Sequence, residues 1–123
     1  MEYLVFVYGS LKKGFHNHHI LVDGGAKFIA KDSIKGRMHN LGRFPCVVKG
    51  DDVIHGEVYS VNRATMARLD MLEGHPHFYR RELAGKGNDY WTYFLPDLTM
   101  VAAGKTWPHI PGGEWKTEHV NHV

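Results

Sequence analysis

The sequence predicts an α+β fold, in which an antiparallel or mixed sheet curls toward a barrel beside a few helices. Three observations carry that expectation. Residues 3–8 form an apolar, β-branched and aromatic run cut off by Gly9, the pattern of a strand buried on both faces. Between Ala26 and Val61 short alternating runs recur with glycine punctuation, which is the spacing of a curled sheet of short strands. One internal stretch, residues 63–72, carries a helical period instead.

In chain order, the first strand runs into Gly9-Ser10-Leu11-Lys12-Lys13-Gly14. The spacing resembles the start of a phosphate-binding P-loop. Phe15-His16 stands where a Lys-Ser or Lys-Thr pair would have to reach phosphate and magnesium, so that reading fails. Two readings stay open: a tight turn without a ligand, or a loop whose successive N–H groups converge on an anion. His16, Asn17, His18 and His19 invite a metal reading. Nearly contiguous side chains diverge, however, and no second group at ligand spacing supports them, so no metal site is expected. A short helix over residues 17–22, stopped by Asp23-Gly24-Gly25, fits better. Strands are expected at 27–30, 33–41, 46–49 and 53–61. Cys46, between Pro45 and Val47-Val48, reads as a small buried hydrophobe rather than a nucleophile.

The helix at 63–72 has Asn62 as its cap, Met66 and Leu69 as core contacts, and Arg63 and Arg68 facing outward. Glu73 lies four residues after Leu69 and seven after Met66, on the same apolar face. Gly74 and Pro76 stop the helix there, which leaves the carboxylate at the negative end of the dipole. Burial and dipole together would raise its pKa toward the range of a base that also works as an acid. The plain alternative is a solvated glutamate in a last turn. Beyond it, His75-Pro76-His77-Phe78 reads as a loop, 79–83 and 89–95 as strands, and Pro96 as a stop. The tail from Trp107 to Val123 has no clean period; extended or turn structure and then a short helix or frayed end are expected there. No linker, repeat or low-complexity run divides the chain, so residues 1–123 are expected to form one domain.

Composition narrows the function classes. Fifteen basic against thirteen acidic residues give a net charge of +2, too small a bias to argue for nucleic acid, and no basic stripe or aromatic stacking motif supplies one. No run approaches the roughly 20 apolar residues of a membrane helix, and Met1-Glu2-Tyr3 does not open a secretion signal. The single cysteine excludes an internal disulfide and fits a reducing compartment, so the cytoplasm is the expected location.

Taken together, Val5-Phe6-Val7-Tyr8-Gly9-Ser10-Leu11-Lys12-Lys13-Gly14, Asn17-His18, Gly56-Glu57-Val58-Tyr59 and the run from Leu69-Asp70-Met71-Leu72-Glu73-Gly74 to Phe78-Tyr79-Arg80-Arg81 closely resemble the γ-glutamylcyclotransferase superfamily, within it the γ-glutamylamine cyclotransferase-like (AIG2-like) branch. The resemblance covers most of residues 4–95 in order. It implies a small mixed β-barrel flanked by helices with a substrate cavity at one end. It also implies a reaction, in which the α-amine of a γ-glutamyl group attacks its own γ-carbonyl, closing 5-oxoproline and expelling the other amine. Carried onto this chain, the catalytic base falls on Glu73, and the glutamyl-binding positions on Tyr8, Gly9, Ser10, Leu11 and Tyr79. No metal, nucleotide or flavin is implied. The expected partner is a small γ-glutamyl substrate, with neither nucleic acid nor membrane, and the protein is expected to be a monomer or weak homodimer. Tyr93 and Phe44-Pro45 could line the cavity or simply pack, and His75 and His77 are expected near its mouth. A non-catalytic binding or regulatory module using the same cavity is the alternative function.

Overall fold

The computed structural model describes residues 2–96, 98 and 107–119. Its elements run β1 (Glu2–Val7), α1 (His18–Asp23), β2 (Lys27–Asn40), β3 (Pro45–Asn62), α2 (Arg63–Glu73), β4 (Arg80–Ala84), β5 (Tyr90–Phe94) and a 3-10 turn at Thr117–His119. The five strands make one mixed sheet in the order β2-β3-β1-β5-β4. β1 is central, antiparallel to β3 from Glu2↔Asn62 to Val7↔Glu57 and parallel to β5 at Val5↔Trp91.

Period-2 alternation in β1 sorts its side chains into two cores. Val5 and Val7 point to the helical side, where Ile20, Leu21, Met66 and Leu69 from α1 and α2 meet them. Phe6 and Tyr8 point to the other, packed with Met38, Val47, Ile54 and Val58. That second core is sealed by the tail: Ile110 and Trp115 join it, and Trp115 is only 1% exposed. Main-chain bonds from Ile110 N to Met38 O and from His55 N to Gly113 O, 2.9 and 2.8 Å, hold the tail to β2 and β3. The turn expected in the tail is present at 111–112 and the short helix at Thr117–His119. Residues 120–123, the end of the stretch expected to be helical or frayed, lie outside the described residues.

The structure departs from the expected sheet in two ways. The four short strands between 27 and 61 are two long ones, β2 and β3, paired as a bent ribbon with register shifts at Phe28/Ala30 and Gly36/Arg37. The polar runs at 31–33 and 50–52 look like turns because they carry no apolar alternation. The run at 31–33 stays in the ladder because it lies on exposed backbone, where polar side chains cost nothing. Of 50–52 only Asp52 pairs, with Gly36, and residues 49–51 bulge out of the register at Gly36/Arg37 while the strand continues on either side. The barrel, moreover, is not closed: among the described residues β2 and β4 are the two ends of the sheet order. Bending brings the start of β3 toward the end of β5, but a single bond, Leu95 N to Val47 O at 2.9 Å, spans them rather than a ladder.

Candidate active site

The local signals that end α2 act as the sequence predicts. The Asn62 side chain accepts the Thr65 N–H at 2.8 Å, and Gly74 takes the left-handed conformation at φ 68°, which a residue with a Cβ resists. Met66 and Leu69 are buried, so Glu73, the last helical residue, is turned toward the protein. Its main-chain carbonyl accepts the Tyr79 N–H at 3.2 Å, folding the 74–79 loop back over the helix end.

Glu73, Tyr8, Gly9, Ser10, Leu11 and Tyr79 all border one cavity of about 250 Å³. The six residues singled out in the sequence therefore meet, although they come from the β1 exit, the end of α2 and the loop after it. Tyr93, Phe44 and Pro45 also line the cavity, so those three face the space as well as packing beside it. His75 and His77 do not line it. His75 is instead a structural acceptor, its Nδ1 taking the Arg81 N–H at 3.0 Å, which turns the imidazole toward β4. Six lining residues are not singled out as such by sequence reasoning: Phe6, Val7, His16, Asn17, Leu72 and Phe78. Five of them lie within the stretches that carry the family resemblance and His16 lies in the histidine run, but no local pattern marks any of them as facing a cavity.

The β1 exit loop is wound tightly. Lys12 N bonds Gly9 O and Asn17 N bonds Ser10 O, both at 3.0 Å, while the Asn17 amide donates to Ser10 Oγ at 2.8 Å. His18 Nδ1 lies 2.9 Å from Leu11 O. No acceptor among the described residues takes the N–H of Gly9, Ser10 or Leu11. Three successive backbone donors without an acceptor among the described residues therefore belong to residues that line the cavity. Gly9 is required for the close approach: a Cβ there would stand 2.9 Å from Pro45 Cγ.

The Glu73 carboxylate has no hydrogen-bond or ion-pair partner among the described residues. Desolvation by burial pushes its carboxyl up to about 7, and no neighbouring donor opposes the shift. The tyrosines beside it are locked as neutral phenols. Tyr8 OH donates to Tyr93 O at 2.5 Å and Tyr79 OH to Pro45 O at 2.8 Å. Burial raises both phenols far above their ordinary value, and the nearby Glu73 charge adds to it. With their protons committed to carbonyls, both oxygens offer only lone pairs to a ligand. Burial also pushes the Cys46 thiol up to about 12, the behaviour of an inert buried hydrophobe.

One helical turn before Glu73, Asp70 is in the opposite situation. Its carboxylate takes Arg81 Nε at 2.8 Å and Nη2 at 3.0 Å, and Tyr93 OH at 2.6 Å. Burial raises its pKa, but the hydrogen bonds from Arg81 and Tyr93 outweigh it and hold the group below its ordinary value. Arg81 in turn lies over the Trp91 ring, 4.7 Å from its centroid. The cluster ties α2 to β4 and β5.

The family profile described as gamma-glutamyl cyclotransferase, AIG2-like, matches residues 5–117, a span that includes the exit loop, Glu73 and Tyr79. The chain belongs to this family. It is 43% identical over 106 residues to a Methanocaldococcus jannaschii protein whose own assignment as a gamma-glutamylcyclotransferase is provisional, covering 79% of this chain and 87% of the relative. Among solved structures, the solution structure of Escherichia coli ytfP superposes with a TM-score of 0.69 at 29% identity, over 94% of this chain and 97% of that one. The crystal structure of a mouse AIG2-like protein superposes with a TM-score of 0.74 at 20% identity, over 99% and 95% of the two chains, and shows that the fold is shared. Among the described residues no helix is long and apolar enough to cross a membrane.

Proposed function

We propose that the protein cyclises the γ-glutamyl group of a γ-glutamyl-amine to 5-oxoproline and releases the free amine. One observation carries the reading: an unpaired carboxylate with a pKa of about 7 shares a small cavity with three unengaged backbone N–H groups. Nucleophile and electrophile belong to one molecule, so the site has mainly to hold the glutamyl chain in its ring-closing conformation. A cavity of about 250 Å³ suits that compact moiety.

The proton count explains why one carboxylate suffices. The attacking nitrogen starts as an ammonium with three protons and ends as a lactam N–H with one. The departing nitrogen starts with one and leaves as an ammonium with three. Two protons must therefore pass between them, and Glu73 relays them. As carboxylate it takes the first proton, freeing the lone pair that attacks the γ-carbon. The N–H groups of Gly9, Ser10 and Leu11 hold the substrate's carboxylate or the oxyanion that forms, a well-placed donor contributing on the order of 3 kcal/mol. As carboxylic acid, Glu73 protonates the leaving nitrogen while the C–N bond breaks, then accepts the second proton from the ring nitrogen and passes it on. The Tyr8 and Tyr79 oxygens accept from the substrate ammonium and orient it.

Incubation with γ-glutamyl-ε-lysine, γ-glutamyl amino acids and γ-glutamyl derivatives of simple amines, followed by measurement of 5-oxoproline, tests the proposal. Product from at least one is expected. No product from any of them, with folded protein, would contradict it.

A further inference from the structure

Once the glutamyl head fills the inner cavity, the leaving amine must lie at its mouth. A volume of about 250 Å³ falls below the roughly 300–1,000 Å³ of sites that enclose a whole ligand, so the amine's substituent meets the rim. Three apolar side chains with solvent exposure line it, Phe44 from the β2–β3 connection, Leu72 from the last turn of α2 and Phe78 from the loop after it, beside the exposed His16 and half-buried Asn17 of the β1 exit. Phe44 and Leu72 are 40% and 42% exposed, large apolar groups left to solvent where a core residue would be covered. No Lys, Arg or Asp among the described residues lines the cavity. Apart from Glu73 and the tyrosines already assigned, His16 is the one titratable side chain there. Glu73 is committed to the substrate's α-ammonium. The mouth therefore offers hydrophobic surface and almost no charge to whatever the leaving nitrogen carries.

We infer that the preferred substrates are γ-glutamyl amides of apolar, uncharged amines, with Phe44, Leu72 and Phe78 as the specificity-determining residues. An amino acid as leaving group would bring a carboxylate to a wall with no Lys or Arg, and a polyamine would bring an ammonium to a wall with no second carboxylate. The ammonium would lose hydration without a countercharge, and the carboxylate would find only the His16 imidazole and the Asn17 amide in place of a Lys or Arg. An alkyl or aryl substituent gains instead by removing the three side chains from water. The inference rests on the γ-glutamyl reading above and narrows it.

Binding and turnover separate the two. Glu73→Gln keeps the cavity while removing the base, so calorimetric affinities on it report recognition alone. γ-Glutamyl-benzylamide is expected to bind this variant at least about tenfold more tightly than γ-glutamyl-ε-lysine, γ-glutamylglycine or γ-glutamyl-putrescine, the difference expected for a buried apolar substituent. Wild-type kcat/KM should follow the same order. Leu72→Lys, an exposed position where the fold is not at stake, should narrow the gap by favouring γ-glutamylglycine. Equal affinities, or tighter binding of a charged amide, would overturn the inference while 5-oxoproline release left the proposed reaction standing. Failure of every amide to bind and to yield 5-oxoproline would overturn both.

Discussion

Asp70 and Glu73 are two carboxylates one turn apart on the same helix, and their surroundings drive them to opposite states. Asp70 receives a forked guanidinium and a phenol and is held ionised below its ordinary range. The Glu73 carboxylate receives no donor among the described residues and is pushed up to about 7 by burial. The same functional group is thus a structural anchor in one place and, three residues on, a carboxyl poised near neutrality, as the proposed proton relay requires. When titratable groups are separated this way by their environments, the pair marks the division of labour in a site.

The largest effects should come from breaking this difference at the Glu73 end. Glu73→Gln is expected to fold and to lose 5-oxoproline formation by on the order of 10²–10⁴-fold, the range for removing a general acid–base group. Retained turnover would take the proton relay away from this residue.

At the Asp70 end, Asp70→Asn leaves the Arg81 guanidinium, only 21% exposed, without its countercharge. A loss of stability of on the order of 2–4 kcal/mol in chemical denaturation is expected, mostly the cost of the stranded cation. A double-mutant cycle with Arg81→Met should recover much of it. Turnover should fall because the end of α2 loosens, yet the pH midpoint of kcat should still follow Glu73. A shift of that midpoint would mean that Asp70 acts on the chemistry directly.

The pH dependence of stability distinguishes the pair more finely. The folded pKa of Glu73, about 7, lies above its ordinary value of 4.5, so between these pH values the native state binds more protons than the unfolded chain. Stability therefore falls as pH rises through that window, and the penalty is complete above 7 and absent below 4.5. Glu73→Gln should be more stable than wild type by on the order of 1–3 kcal/mol at pH 8 and indistinguishable from it, as far as this group is concerned, at pH 4. Asp70 works the other way: its depressed pKa contributes stability at neutral pH that is lost in acid, below the ordinary carboxylate range. The smallest effect is expected at Tyr79→Phe, which gives up the hydrogen bond to Pro45 O for about 1 kcal/mol.

How far this contrast is legible in the sequence depends on how local its causes are. The Asn62 cap, the burial of Met66 and Leu69, the stop at Gly74 and the inward turn of Glu73 all follow from spacing within one helix, and all are found in the structure. Asp70 gives no such signal. Its partners Arg81 and Tyr93 lie 11 and 23 residues onward in two strands, and only their pairing in β4 and β5 brings them to the helix. The exit loop was visible as a glycine-bounded turn, but the freedom of its three N–H groups depends on bonds made elsewhere in the loop. Trp115 and Ile110 carry no periodicity, because a tail that lies across a sheet contributes single side chains rather than a face. Sheet closure is not legible for a related reason: strand count and spacing do not say whether the two edges meet. The apolar mouth at Phe44, Leu72 and Phe78 comes from three separate segments, and no single stretch announces it.

The claim that Glu73 is a desolvated carboxylate poised near neutrality is tested most directly by following its side-chain carboxyl carbon by NMR as pH is varied, with Glu73→Gln to assign the signal. A midpoint near 7 is expected. A midpoint near 4.5 would mean a solvated glutamate and would contradict both the electrostatics and the proton relay built on it.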